Sequence, residues 1–223
     1  MSTLLLRLAA PMQSWGISSK YEQVRETGRE PSKSGVVGLL AAALGRRRDA
    51  DLSDLNRLRF GVRADQEGQE LRDFQMVHGE KDYITTRYYL ADACFVVGLE
   101  SEDTAFLQEL EQALRHPVFP LFLGRRSCPP AGPVVLGIRQ TDLVTALSNE
   151  PWQASEYMKK RLLGKSGTIT LRMRADARDG EPGGCIRDVP VSFDPAHRRY
   201  GYRNVTEKTV TFAAEHDPMQ ELR

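Results

Sequence analysis

The chain has 223 residues, of which 40% are hydrophobic and 27% are charged, as in an ordinary globular protein of one large or two small domains. Its 31 basic and 30 acidic residues leave a net charge of +1, which excludes a protein that coats duplex DNA non-specifically. No apolar run approaches about 18 residues, and the start reads as a strand, so we expect no secretion signal and no membrane contact. The three scattered cysteines fit a reducing cytoplasm, and no spacing of Cys and His suggests zinc or another cofactor.

Apolar runs and turn residues predict strands and helices in the first 140 residues. One helix begins near Ser32 or Ser34, either of which can cap it, and ends at Gly45. Two β-rich pieces around a polar turn predict a protruding hairpin at about residues 72–90. The other predicted strands are residues 4–8, 60–64, 93–99 and 134–138, and the other predicted helices are residues 52–58 and 104–115.

This order, β-α-β-hairpin-β-α-β, is the split βαβ or ferredoxin-like pattern, which is the frame of RNA-recognition domains. After residue 140 the pattern changes to strands joined by glycine- and proline-rich turns, which predicts a small antiparallel sheet. We therefore expect an α+β protein with a ferredoxin-like domain at 1–140 and a β-rich domain at 141–223. The predicted C-terminal strands are residues 168–174, 189–193, 200–205 and 209–213.

Because the net charge is small, any contact with nucleic acid must come from local basic patches. Each patch taken alone is more typical of a solvated surface. The patches are Arg46, Arg47 and Arg48; Arg125 and Arg126; Lys159, Lys160 and Arg161; Arg172 and Arg174; and Arg198 and Arg199.

Three segments are more specific than these patterns. They are residues 6–16 (LRLAAPMQSWG), 31–40 (PSKSGVVGLL) and 122–129 (FLGRRSCP). In this order and spacing they resemble the CasD family, which is family five of the CRISPR-associated proteins, subtype I-E. Residues 71–99 also resemble that family, so the resemblance touches most of residues 4–138.

The resemblance implies an RNA-recognition-like (RAMP) N-terminal domain with a thumb hairpin and a smaller C-terminal β domain. It implies a subunit of the Cascade surveillance complex that caps the 5′ handle of the crRNA. Such a subunit packs beside the CasC backbone subunit and the CasA large subunit, meets target DNA only through the complex, and needs no cofactor. The hairpin is shorter than the family's, which puts the reach of the thumb in question.

The segment before the first long helix is a candidate phosphate site. Free amides and the helix dipole favour an anion there, Lys33 adds a charge, and Ser32 and Ser34 add donors. Gly35 allows close approach of a phosphate or another backbone. The alternative is a simple cap on a packed helix, with the glycine serving packing.

A second candidate is the loop with Gly124, Arg125 and Arg126. Two arginines after a glycine offer forked donors to phosphate oxygens. The alternative is that they pair with acidic residues of this chain or a neighbour. The family resemblance favours contact with RNA or with a neighbouring subunit.

Aromatic residues supply weaker candidates for RNA contact. Trp15 beside Gln13 can stack on a base while the amide reads its edge, but a tryptophan after the first strand is more often core, packed on the helix from Gly35. In the hairpin, Arg87 and Tyr88 combine a cation with an aromatic ring, a mixture that can stack nucleotides. The alternative is a strand with one buried face.

Two other function classes stay open. His78, Lys81 and Tyr83 can supply acid and base groups for metal-independent cleavage of precursor crRNA, but residues clustered in a polar turn are more often solvated. Cys128, with His116 upstream, lacks a cysteine-protease signature, and neither His197 nor His216 belongs to a metal pattern. We therefore expect no enzyme activity. The third class is a protein-only scaffold subunit.

Overall fold

The computed structural model describes residues 1–16, 24–79 and 82–213, with the side chains of Lys165 and Ser166 left aside. The strands are β1 (Ser2–Ala9), β2 (Met12–Gln13), β3 (Val24–Arg25), β4 (Arg59–Gln66), β5 (Gln69–Val77), β6 (Tyr83–Ala91), β7 (Cys94–Ser101), β8 (Val135–Arg139), β9 (Thr168–Asp176), β10 (Gly184–Ser192) and β11 (Arg199–Ala213). The helices are α1 (Lys33–Ala43), α2 (Ser53–Asn56), α3 (Thr104–Arg115), α4 (Leu143–Asn149) and α5 (Glu156–Ser166).

Seven strands form one antiparallel sheet in the order β10-β11-β9-β4-β7-β1-β8. The side chains along β1 show which helices cover each face of the sheet, because successive side chains of a strand point to opposite sides. Leu4, Leu6 and Leu8 belong to the core that contains α1 and α3, whereas Leu5 belongs to the core that contains α4. The sheet therefore lies between two layers of helices.

Helix α1 is apolar on nearly every side, as its sequence predicts, and most of it is buried. Ser32 is the cap residue, because its hydroxyl oxygen accepts a hydrogen bond from the Gly35 amide at 3.2 Å. At the other end Gly45 adopts φ +73°, and its amide and that of Arg46 donate to the carbonyls of Ala42 and Ala41. Both predicted ends of this helix are confirmed.

The C-terminal strands run antiparallel, as predicted, but they do not make a separate sheet. Gly61, Val62 and Arg63 of β4 pair with Ala175, Arg174 and Met173 of β9, so the sheet continues from one half of the chain into the other. The strands predicted at 200–205 and 209–213 are one strand, β11, because the polar residues between them pair with β9. Helices α4 and α5 were not predicted.

A buried arginine fastens the α4–α5 connection to the sheet. Arg63 and Asp65 are both fully buried and form a two-pronged ion pair, with N–O distances of 2.6 and 2.8 Å. The guanidinium also donates to the carbonyls of Glu150 at 2.6 Å and Pro151 at 3.0 Å, and the Trp152 indole donates to the Asp65 carbonyl. Every charge in this cluster therefore has partners inside the chain.

The predicted hairpin is present as β5 and β6, which pair along their whole length. β6 also pairs with β2 and β3, so the hairpin belongs to a second, smaller sheet. Phe74, Met76 and Ile84 near its turn are about half exposed. Across the described residues, no helix has the length and apolarity needed to span a bilayer.

Candidate nucleic-acid interface

A groove of about 1280 Å³ runs past the start of α1, and we call it the basic groove. Its walls come from residues 25–35, α1 and the turn after it, the loop 119–129, and strands β9 to β11. Ser32, Ser34 and Gly35 line it, and so do Gly124, Arg125 and Arg126. The two phosphate sites predicted separately from the sequence therefore belong to one surface.

The charge of this groove is strongly one-sided. Eleven arginines and three carboxylates line it, although the whole chain is nearly neutral. The carboxylates are Glu26, Glu30 and Asp188. The arginines are Arg25, Arg29, Arg46, Arg47, Arg48, Arg125, Arg126, Arg174, Arg187, Arg198 and Arg203.

Some of these arginines are committed to carboxylates of the chain itself. Arg46 forms an ion pair with Asp54, and its hydrogen bonds lower the pKa of that carboxyl group. Arg174 pairs with Glu30 and Glu207. These pairs hold the groove wall together and leave less charge for a ligand.

Other arginines have no carboxylate partner among the described residues. Arg47, Arg48 and Arg126 are exposed, and no described carboxylate forms an ion pair with any of them. Cations held without a counter-ion in a concave surface raise the local concentration of anions. The groove is therefore suited to a chain of phosphates.

The loop that contains Arg125 and Arg126 takes its shape from Gly124. This residue has φ +87°, and a Cβ atom there would lie 1.6 Å from the Ser14 carbonyl oxygen, so only glycine fits. Arg125 donates to the Arg25 carbonyl at 3.0 Å and stacks 4.6 Å from the Tyr89 ring centre. One terminal nitrogen of Arg125 is buried without a partner in the described chain. Arg125 is thus partly structural, whereas Arg126 is exposed.

Lys33 is a correction to the predicted phosphate site. Its ammonium is buried, donating to the Leu58 carbonyl at 2.8 Å and pairing with Asp176 at 3.1 Å. Its amide, at the start of α1, already donates to Asp188 at 2.8 Å. Arg203 completes this buried cluster by pairing with both carboxylates at 2.6 Å. Lys33 therefore has no free charge to offer a phosphate, because residues far along the chain neutralise it.

Gln13 and Trp15 are a second correction, since neither is available to a base. The Gln13 side chain is fully buried, donates to the carbonyls of Leu8 and Ala93, and accepts from the Trp15 indole at 3.1 Å. Trp15 is 1% exposed and packs on α1, where a Cβ at Gly35 would lie 2.7 Å from its ring. The alternative of a core tryptophan is confirmed, and Gly35 serves this packing.

Comparison with known proteins agrees with the segments that suggested a family. The family model described as "CRISPR-associated protein (Cas_Cas5)" matches residues 3–206. The chain belongs to this Cas5 family.

Relatives of known name and structure support this assignment. The "CRISPR system Cascade subunit CasD" of Escherichia coli (strain K12) is 40% identical over 77% of this chain and 87% of its own. A solved "CRISPR RNA-guided surveillance complex" contains a chain with a TM-score of 0.78 and 31% identity, covering 95% of this chain and 91% of that one. A structure called "Crystal structure of Cas protein" has a TM-score of 0.72 and 40% identity, covering 93% and 94%. The resemblance to CasD is confirmed.

Within this Cas5 chain, the hairpin candidates lie apart from the groove. Arg87 and Tyr88 are half-buried on β6, opposite Asp73 and Arg72 of β5, and neither lines the groove. The link to the groove is indirect: in the pairing of strands β6 and β3, Arg87 lies beside Arg25, and Arg25 lines the groove. Their contact with RNA stays a prediction.

Two of the residues considered for RNA cleavage, His78 and Tyr83, also lie outside the groove lining. His78 is exposed, with its Nδ1 atom 3.1 Å from a carboxylate oxygen of Asp82, and Tyr83 is about half exposed. Lys81 lies outside the described residues, as does His216. Cys128 is buried, which raises the pKa of its thiol, so it is a packing residue and not an activated nucleophile.

Sequence reasoning missed much of the groove of this Cas5 protein. Arg25 and Arg29 stand in a segment without a recognisable pattern, and Arg187 lies on a C-terminal strand. Besides the buried Trp15, four aromatic residues line the groove: Phe119, Phe122, Phe193 and Tyr200. The basic patches at Arg46–Arg48 and Arg198 were visible in the sequence, but only the fold brings them to one surface.

Proposed function

We propose that this chain is the Cascade subunit that binds the 5′ handle of the crRNA in the basic groove and helps to assemble the complex for antiviral defence. One observation carries the proposal: eleven arginines and three carboxylates line a single groove in a chain whose net charge is +1. Single-stranded RNA needs a basic groove for its phosphates and aromatic surfaces for its bases, and this groove has both. The printed names of the relatives, a Cascade subunit and an RNA-guided complex, agree with this role.

We infer that the N-terminal part is a ferredoxin-like RAMP domain with β5 and β6 as its thumb. The strand order β8-β1-β7-β4, with α1 after β1 and α3 after β7, supports this inference. CasC and CasA are the proposed neighbours, the proposed compartment is the cytoplasm, and target DNA is met only through the complex.

The test is RNA binding by variants of the assembled complex or the full chain. Arg126→Ala should weaken binding of a handle-containing RNA and make the dependence on salt less steep, by about 0.7 in log–log slope per lost phosphate contact. Arg161→Ala is the matched control, because Arg161 is also an exposed arginine. It belongs to α5, which packs on the face of the sheet opposite to α1 and the groove. Equal RNA affinity and equal salt slope for both variants would refute the proposal.

The protein-only scaffold is the competing function. It predicts that Arg126→Ala leaves retention of the guide RNA unchanged but weakens association of the subunits. Lys33→Ala cannot decide between the two functions, because loss of this buried ammonium damages the fold itself.

We also propose that the chain does not cleave RNA. The test is incubation of the purified protein with repeat RNA in the presence of a chelator. We expect intact RNA. Cleavage at one site that is lost in His78→Ala or Tyr83→Phe would make the chain a metal-independent endoribonuclease.

A further inference from the structure

Phe119 is the most exposed of the aromatic side chains that line the basic groove. It follows α3, and 44% of its surface is exposed. Single exposed apolar residues are common and carry no meaning by themselves. The position of Phe119 in the groove and the rigid backbone that carries it distinguish it from such residues.

The chain builds a rigid support under Phe119. Its amide donates to the Ala42 carbonyl at 3.2 Å, and the Val118 amide donates to the Ala43 carbonyl at 3.0 Å. The loop is thereby fixed to the last turn of α1. Gly45 makes room for it, since a Cβ there would lie 2.9 Å from the Val118 side chain and φ is +73°. An aromatic ring on a fixed backbone loses little conformational freedom on binding.

The surroundings of Phe119 define what it binds. The chain leaves α1 directly into Arg46, Arg47 and Arg48, which line the same groove, and Arg47 and Arg48 have no ion pair with a described carboxylate. Cations that bind phosphates beside a flat apolar ring are the combination that holds single-stranded nucleic acid, with phosphates on the cations and a base on the ring.

We propose that Phe119 is a stacking platform for one unpaired base of the RNA in the groove. The proposal rests on the function proposed above and adds a site for a base to a groove so far argued from phosphates. Stacking needs only the flat face of a base, so the site takes any base and confers no sequence preference of its own.

The experiment compares two probes on the full chain at low salt: a short single-stranded oligoribonucleotide, and an oligomer of the same length made of abasic ribose phosphates. Phe119→Ala should weaken binding of the oligoribonucleotide about 5- to 150-fold and leave binding of the abasic oligomer unchanged. Phe119→Tyr should keep the wild-type affinities, because it keeps the ring. Val118→Ala is the matched control, since Val118 is more exposed but does not line the groove.

The outcomes separate this inference from the function on which it rests. If Phe119→Ala binds the oligoribonucleotide as tightly as wild type, or if wild type binds both probes equally, no base stacks on Phe119 and the inference is wrong. If the variant instead weakens assembly with neighbouring subunits, the ring is a protein contact, which also overturns it. Arg126→Ala tests the groove separately: unchanged affinity for both probes in that variant refutes the proposed function.

Discussion

Two groups of charges adjoin the start of α1, and they differ in how the charges are used. In the buried cluster, Lys33 and Arg203 face Asp176 and Asp188, so two cations meet two anions and every charge is paired. The basic groove shares Arg203 and Asp188 with this cluster, but in its lining arginines far outnumber carboxylates, and Arg47, Arg48 and Arg126 form no ion pair with a described carboxylate. A cation in a short sequence segment can belong to either group. Carboxylates distant in the chain decide to which group the cation belongs, and therefore whether it stabilises the fold or binds a ligand.

The largest effect expected from this difference is on stability. Asp176→Ala leaves Lys33 and Arg203 short of a buried counter-ion and removes the acceptor of the Phe60 amide. Removing one partner of a buried ion pair costs about 3–5 kcal/mol, so we expect the free energy of unfolding in urea to fall by that amount.

Glu207→Ala is the control for Asp176→Ala. Glu207 also pairs with an arginine, Arg174, but its own side chain is 68% exposed. Exposed pairs contribute about 0–1 kcal/mol, so this variant should unfold close to wild type. Similar losses of unfolding free energy for both variants would mean that burial does not make the ion pairs of the cluster more important for stability than the exposed pair of Glu207 and Arg174.

A smaller effect separates two glycines of α1, of which one packs tightly against Trp15 and the other lies at ordinary contact distance from Phe193. Gly35→Ala places a Cβ 2.7 Å from the Trp15 ring, and overpacking of this kind costs about 1–3 kcal/mol. Gly38→Ala places it 3.7 Å from Phe193, an ordinary contact, and should gain up to about 1 kcal/mol from helix propensity. Urea unfolding of both variants measures the contrast, and an equal sign for the two would contradict the packing described for Trp15.

The smallest effect concerns how two helices begin. The amide that opens α1 is bound by Asp188 from a distant strand, whereas α4 is capped by its own Asp142, whose carboxylate accepts from the amides of Val144 and Thr145. Asp142→Ala should cost about 1 kcal/mol in unfolding free energy, and Asp142→Asn, which keeps an oxygen acceptor for the two amides but loses the charge, should cost less.

The Asp142 cap should also depend on pH. The hydrogen bond from the Thr145 hydroxyl, together with the two amides, lowers the pKa of the folded-state carboxyl group. Its stabilising effect is therefore complete above the ordinary aspartate pKa and is lost as the pH falls through the lowered value. The stability difference between wild type and Asp142→Ala should shrink in acid. A difference that stays constant down to acid pH would show that the charge plays no part.

The fold was predictable where local pattern and burial agree. The spacing of Phe106, Leu107, Leu110 and Leu114 predicts α3 at 104–115, which are the bounds observed. The same reasoning missed α4 and α5, because α4 has only seven residues and α5 is largely polar with a glycine inside. It also divided β11, since the polar residues 206–208 look like a turn until β9 lies beside them.

The candidate site was predictable in part for a related reason. Arg125 and Arg126 lie in a loop whose shape is encoded locally by Gly124, and both line the groove. Lys33 has an equally suggestive sequence context, but Asp176 and Asp188 lie more than 140 residues away and neutralise it. Sequence patterns therefore found the cationic segments and could not say which charges remain free.

The continuous sheet has a practical consequence for anyone who modifies this protein. The junction near residue 140 looks like a boundary in composition, yet β4 and β9 pair across it, and Arg63 holds the following segment by its carbonyl groups. Expressing the two halves as separate domains would therefore divide a single hydrogen-bonded layer. An insertion is better placed in the exposed bend around Gly180, which joins β9 to β10. These two strands are not paired with each other, because β11 lies between them in the sheet.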